Sequence, residues 1–211
     1  MGKTERTTSL AEPEATDEQL LLHYTQGDTE AFEQLVRRYR RELFNFLARF
    51  IGDPSLADDI FQETFLQVHL SAGGFDFSRR LKPWLFTIAA NKARDAMRSR
   101  SRKSAVPLDA VIGHGEDSTS RFVDLMPAQV PPPSENIENL EEAEAVQTIV
   151  KQMPDNLRMV IWLSYFNGFA YKDIAEMLKI PLGTVKSRLH MAVQEFARRW
   201  KARFGTGDNG E

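Results

Sequence analysis

The chain has 211 residues, 42% of them hydrophobic and 27% charged, with a formal net charge of −3. That is enough chain for two small soluble domains with tails. It contains no cysteine, which excludes a disulfide framework and any thiolate metal site.

Residues 1–16 carry no apolar run after their basic residues, so no signal peptide is expected and they read as a disordered tail. Phe32, Leu35, Val36, Tyr39, Leu43, Leu47 and Phe50 then recur at three- and four-residue steps, which predicts one long amphipathic helix. Gly52-Asp53-Pro54 breaks it, and Ser55 is the expected cap of the next helix. That helix has Ala57, Ile60, Phe61, Thr64, Phe65 and Val68 on its inner face, leaving Asp58, Asp59, Gln62 and Glu63 outward. Ala72-Gly73-Gly74 ends it. Pro83 fits the first turn of a third helix, where its missing N–H is an orphan donor in any case. Leu85, Ile88, Ala89, Ala93 and Ala96 supply that helix's core face.

From Ser104 the periodicity fails, and residues 104–136 are rich in Pro, Gly, Ser and acid, as in a flexible linker. Helical spacing resumes near Ile137 and runs to about Trp200. No run alternates over a strand's length, and every apolar stretch is broken by charge, so no membrane span is expected. The expected fold is all-α: two small helical domains, 17–103 and 137–204, joined by the acidic linker 104–136, with a disordered tail at 205–211.

Charge is distributed unevenly. Residues 79–104 hold nine Lys or Arg against one acid, and residues 105–147 hold one base against nine acids. Residues 182–204 hold six bases and one acid. Two basic islands flanking an acidic segment fit two contacts with one polyanion. The second island lies in AYKDIAEMLKIPLGTVKSRLHMAVQEF, residues 170–196. Ile174, Ala175 and Leu178 form one inner face, a tight connection follows around Lys179–Gly183, and Val185, Leu189, Val193 and Phe196 form another. This is a helix-turn-helix pattern, whose second helix enters the major groove. Thr184, Lys186, Ser187, Arg188 and Met191 are its outward set; Arg188 suits a bidentate grip on guanine, worth about 1–3 kcal/mol of discrimination. On the third helix Trp84, Thr87, Asn91, Arg94 or Asp95, and Arg98 line up at helical spacing, after Phe75 and Phe77 in a Gly-bearing loop. Rings beside cations suit single-stranded nucleic acid, where stacking contributes about 1–3 kcal/mol per base.

Three segments together, ADDIFQETFLQVH (57–69), KPWLFTIAANKARDAMR (82–98) and GTVKSRLH (183–190), resemble the bacterial RNA polymerase sigma factors of the extracytoplasmic-function group. The resemblance runs in register over roughly residues 17–103 and 137–203. It implies that Asp58, Asp59, Gln62, Glu63 and Phe65 dock on the clamp helices of core RNA polymerase. It implies that Phe75, Phe77, Trp84, Asn91, Arg94 and Arg98 open promoter DNA at the minus-ten element, with Asn91 near a captured base. Thr184, Lys186, Ser187, Arg188 and His190 would then read the minus-thirty-five element, and the acidic linker would thread toward the RNA exit path. The resemblance also implies an anti-sigma partner, no cofactor and no small-molecule substrate. Ala170 stands where the family usually has a capping Ser or Thr, Lys179 at a turn position that is commonly Gly, and His69 where Trp is common. Met191 and Val193 replace residues that are often basic.

Two other readings compete. A stand-alone transcriptional regulator would use the helix-turn-helix on duplex DNA without polymerase, and would have no use for Asn91 or Trp84. For an enzyme, the four histidines at 23, 69, 114 and 190 are scattered, and no nucleophile–base or H-E-x-x-H motif occurs. Asp58, Asp59, Glu63 and His69 as metal ligands would lack a second ligand-bearing helix.

Overall fold

The structure, a computed structural model, describes residues 15–103 and 140–204; the expected linker 104–136, the tail 205–211 and residues 1–14 lie outside the described residues. Thr16, at the inner edge of the expected tail, instead opens a helix. Its hydroxyl accepts from the Gln19 N–H, while the Gln19 side chain accepts from the Thr16 N–H at 2.8 Å. This reciprocal box satisfies two orphan donors at the start of α1 (Asp17–Thr25), a helix that the apolar periodicity did not announce.

The long predicted helix is α2 (Thr29–Ile51), capped by the Asp28 carboxylate and buried along Leu35, Tyr39, Leu43, Phe46, Leu47 and Phe50. It stops at Gly52, whose φ of 75° is a left-handed conformation suited to glycine. A Cβ there would meet Lys151 Cε, near the flexible end of that side chain, at 2.9 Å. Asp53, not Ser55, caps α3 (Pro54–Ser71), accepting from the Ser55 and Leu56 N–H groups. Pro54 takes the first helical position that its fixed φ favours, which moves the cap back and places Ser55 inside the first turn. A 3-10 turn at Ala72–Gly74 ends α3.

Helix α4 (Leu81–Lys103) has Pro83 in its first turn, as expected. Its leading amide is satisfied from a distance: the Leu81 N–H donates to Glu18 Oε1 of α1 at 2.7 Å. Thus α1 sets where α4 begins. The second body comprises α5 (Leu140–Lys151), α6 (Asp155–Ile161), a π-helical turn at Trp162–Phe166, α7 (Tyr171–Leu178) and α8 (Leu182–Phe204). No strand occurs among the described residues, in accord with the all-α expectation.

One hydrophobic cluster continues through both bodies. The expected core face of α4 is present, with Leu85, Ala89 and Ala93 at 2% exposure or less, but Phe86 and Ala90 are fully buried as well. The Phe86 ring meets Phe46 of α2 at 5.4 Å and Phe169, just ahead of α7, at 5.0 Å. Nearby, the Arg158 guanidinium of α6 lies 4.9 Å from the centre of the Phe50 ring, and Arg49 lies 5.6 Å from that of Trp162. Apolar burial and cation–π contacts therefore join the two bodies.

Candidate nucleic-acid interface

The acidic face comes first in the chain. Asp58, Asp59, Gln62 and Glu63 are all exposed on α3. Gln62 donates to Asp58 at 2.8 Å, and Lys92 of α4 reaches Glu63 at 3.1 Å. Phe65 sits on the expected inner face: it is 7% exposed and packs behind the carboxylates, with its ring 5.0 Å from Phe61 and 6.0 Å from Phe32. It follows the inner spacing of α3, so its share in any contact is to hold the face rather than touch a partner. Leu66 and Leu70, 58% and 69% exposed, extend the face toward the end of α3. Sequence reasoning overlooked them, although two leucines four apart on the polar side of an amphipathic helix were a visible signal. His69 accepts or donates a hydrogen bond with the Tyr24 hydroxyl, which ties α3 to α1.

Next come the loop and α4. Phe75 is 7% exposed, so it forms the floor of the expected aromatic group and not its surface. Its ring contacts Phe77 edge-on at 5.2 Å and Trp84 at 4.9 Å. The Phe75 N–H bonds back to the Ala72 carbonyl at 3.1 Å, folding the loop onto the end of α3. Phe77, 39% exposed, and half-buried Trp84 are the rings a base can reach. Further along the helix, the Asn91 side-chain oxygen accepts from the Arg94 guanidinium. Burial, then the charge of Arg98, push the Arg94 guanidinium below its ordinary range, and Arg188 of α8 acts in the same direction. Arg94 Nε is buried with no hydrogen-bond partner among the described residues. Arg98 is exposed, 3.9 Å from Asp95. Asn91, Arg94 and Arg98 thus lie together on α4, while Trp84 packs on Phe75 nearer its start.

The helix-turn-helix is formed by α7 and α8. Ala170 stands at the N-cap of α7 with no side-chain hydrogen bond, and Lys179 ends that helix at φ 53°. The Lys179 N–H donates to the Glu176 carbonyl at 3.2 Å and the Ile180 N–H to the Ala175 carbonyl at 3.0 Å, the bonding of a left-handed helix stop. Ile174, Met177 and Leu178 are buried on α7, and Val185, Leu189 and Ala192 on α8. Ala175 is only half-buried, whereas Ala192, absent from the expected core, is fully enclosed. Lys186, Ser187 and Met191 are exposed, and Thr184, Arg188 and His190 are half-buried. The Ser187 hydroxyl donates to the Thr184 carbonyl at 3.1 Å, and His190 is hydrogen-bonded to Gln194 at 2.9 Å. Among the described residues no group of three or more His, Asp or Glu is arranged to hold a metal ion. None of their helices is long and apolar enough to cross a membrane.

Two family models match, Sigma-70 region 2 over residues 35–103 and Sigma-70 region 4 over residues 143–196. The ECF RNA polymerase sigma factor SigW of Bacillus subtilis is 32% identical over 164 residues, covering 78% of this chain and 86% of that protein. This chain belongs to the extracytoplasmic-function sigma factors. As a sigma factor it binds core RNA polymerase and directs it to specific promoters. The RNA polymerase sigma-H factor of Pseudomonas aeruginosa is 31% identical over 176 residues, covering 83% of this chain and 89% of that one. In solved structures the fold matches CnrH, in complex with the cytosolic domain of CnrY, with a TM-score of 0.62 at 24% identity over 88% of this chain and 97% of that one. It also matches the sigma factor RpoE of Bartonella quintana, bound to the anti-sigma factor NepR, with a TM-score of 0.59 at 22% identity, over 82% and 98% of the two chains. The region 2 match contains both the acidic face of α3 and the stripe of α4, and the region 4 match contains the helix-turn-helix.

Proposed function

We propose that this sigma factor docks on the polymerase through α3, captures the minus-ten element as single strand with α4, and reads the minus-thirty-five duplex with α8. The observation that carries this reading is the presence of three chemically distinct surfaces on one chain. The exposed carboxylates and amide of Asp58, Asp59, Gln62 and Glu63 form the docking face, with Phe65 behind it. Phe77 and Trp84 offer stacking surfaces over the Phe75 floor, Asn91 offers an amide to a base edge, and Arg94 and Arg98 hold phosphates. Thr184, Lys186, Ser187, Arg188 and His190 lie in the first turns of α8, the part of a recognition helix that reaches base edges.

Base capture has a cost at Asn91, because its oxygen already accepts from Arg94. An unstacked base replaces that bond, and the freed guanidinium turns to the strand's phosphate. Extraction of a base costs a few kcal/mol, which stacking and the exchanged hydrogen bonds offset. The protein is non-catalytic, takes no cofactor or small-molecule substrate, and works in the cytoplasm. An anti-sigma factor is its proposed regulator, since two of the structures it resembles were solved with a bound partner, one of them an anti-sigma factor by name. The deciding experiment is run-off transcription from fragmented genomic DNA with purified core polymerase. Discrete transcripts that require the sigma factor are expected. Tight footprints on duplex DNA without polymerase, and no transcripts with it, would favour a stand-alone regulator instead.

A further inference from the structure

Two ion pairs between the bodies fall beside the promoter-strand stripe. Arg79 Nη2 lies 3.0 Å from Glu176 Oε2, and Arg80 Nη2 lies 2.7 Å from Asp173 Oδ2. Both acids belong to α7, three residues apart and outside its buried Ile174, Met177 and Leu178. Phe169 anchors the entry to α7 against Phe86, with Lys82 Nζ 5.9 Å from the centre of the Phe86 ring and 5.6 Å from that of Phe169. This anchor brings the acids to the arginines. The arginines themselves leave a turn shaped by Asp76, whose carboxylate accepts from the Ser78 N–H and hydroxyl at 3.0 Å and 2.7 Å. Along the chain they therefore stand between Phe77 and Trp84, the two rings assigned to unstacked bases. Each stacked base brings a phosphate with it, and a guanidinium fork suits phosphate and carboxylate alike.

We propose that Arg79 and Arg80 are phosphate contacts for the promoter single strand, and that Asp173 and Glu176 occupy both guanidinia until DNA replaces them. The inference rests on the single-strand reading of α4. It adds two contact residues to that surface and makes the acids of α7 an internal competitor for the strand. The clasp is weak by construction. Side-chain exposures are 65% and 70% in one pair and 74% and 25% in the other, the regime in which solvent screens most of the attraction. A polyanion carrying several phosphates displaces such pairs.

The absence of cysteine permits two labels on the full chain, at exposed positions Gln34 and Ala197, introduced as Gln34→Cys and Ala197→Cys. Energy transfer between them reports the separation of the bodies, and a labelled oligothymidine reports single-strand binding without a promoter sequence. Asp173→Asn with Glu176→Gln is expected to lengthen the distance and tighten oligothymidine binding about threefold to tenfold. Arg79→Gln with Arg80→Gln is expected to lengthen the distance equally but weaken binding. Exchanging the charges, with Arg79→Glu, Arg80→Glu, Asp173→Arg and Glu176→Arg together, is expected to restore the shorter distance without restoring binding, at unchanged helicity. An acid-neutralised chain with unaltered distance and affinity would overturn the clasp. Arginine variants that bind oligothymidine as well as the parent would overturn the phosphate contacts. If no form binds oligothymidine, the single-strand reading itself has failed, whatever the distances show.

Discussion

The outward face of α3 and the stripe of α4 lie in one helical body but are held in opposite states. On α3, the four polar side chains face solvent, and Glu63 reaches across to another helix in its ion pair with Lys92. On and beside α4, Asn91 is engaged by Arg94, and Arg79 and Arg80 are engaged by α7. One face can meet a partner as it stands; the other must first exchange internal bonds. On the proposed assignment, docking breaks fewer internal contacts than DNA capture does.

The largest expected effect tests whether the covered side is structurally committed. Phe86→Ala removes a ring with no exposure and two aromatic neighbours, and should cost about 3–5 kcal/mol in denaturant unfolding. Leu66→Ala on the open face should cost less than about 0.5 kcal/mol, because the side chain is already largely in water. Equal losses would erase the contrast. Next, Asp59→Lys with Glu63→Lys should weaken core polymerase binding about tenfold to a hundredfold by charge reversal. The converse variant, Asn91→Ala, should lower promoter opening about tenfold, measured by permanganate reactivity, while polymerase binding stays within about twofold. The smallest effect concerns the covering element. Lys179→Gly should raise stability by about 0.5–1 kcal/mol, because glycine relieves the left-handed strain at a modest entropic cost.

Much of this was legible in the chain. The long helices declare themselves through strong three- and four-residue spacing, and the outward residues of α3 and α8 follow from the same count. What escaped has physical reasons. Helix α1 is nine residues long with only Leu20 and Leu21 buried, too little for a periodic signal, yet it supplies Glu18 to α4. Phe75 is expected at a surface because an aromatic in a functional loop looks alike in sequence whether it faces in or out. The burial of Phe86 and Ala90 shows in hindsight as a second apolar line on α4, beyond what its own body needs. The clasp leaves no local trace, since its partners are 97 and 93 residues apart and each looks like ordinary solvated charge.

Trp162 lies at the seam between the bodies, 2% exposed, under the Arg49 guanidinium and 3.8 Å from the Phe166 ring centre. Its indole N–H is buried without a hydrogen-bond partner among the described residues. An indole so enclosed emits at short wavelength, and one released to water emits further to the red. With Trp84→Phe and Trp200→Phe removing the other two tryptophans, the colour of the single remaining ring reports whether the seam stays closed when oligothymidine is added. The seam thus carries its own optical gauge.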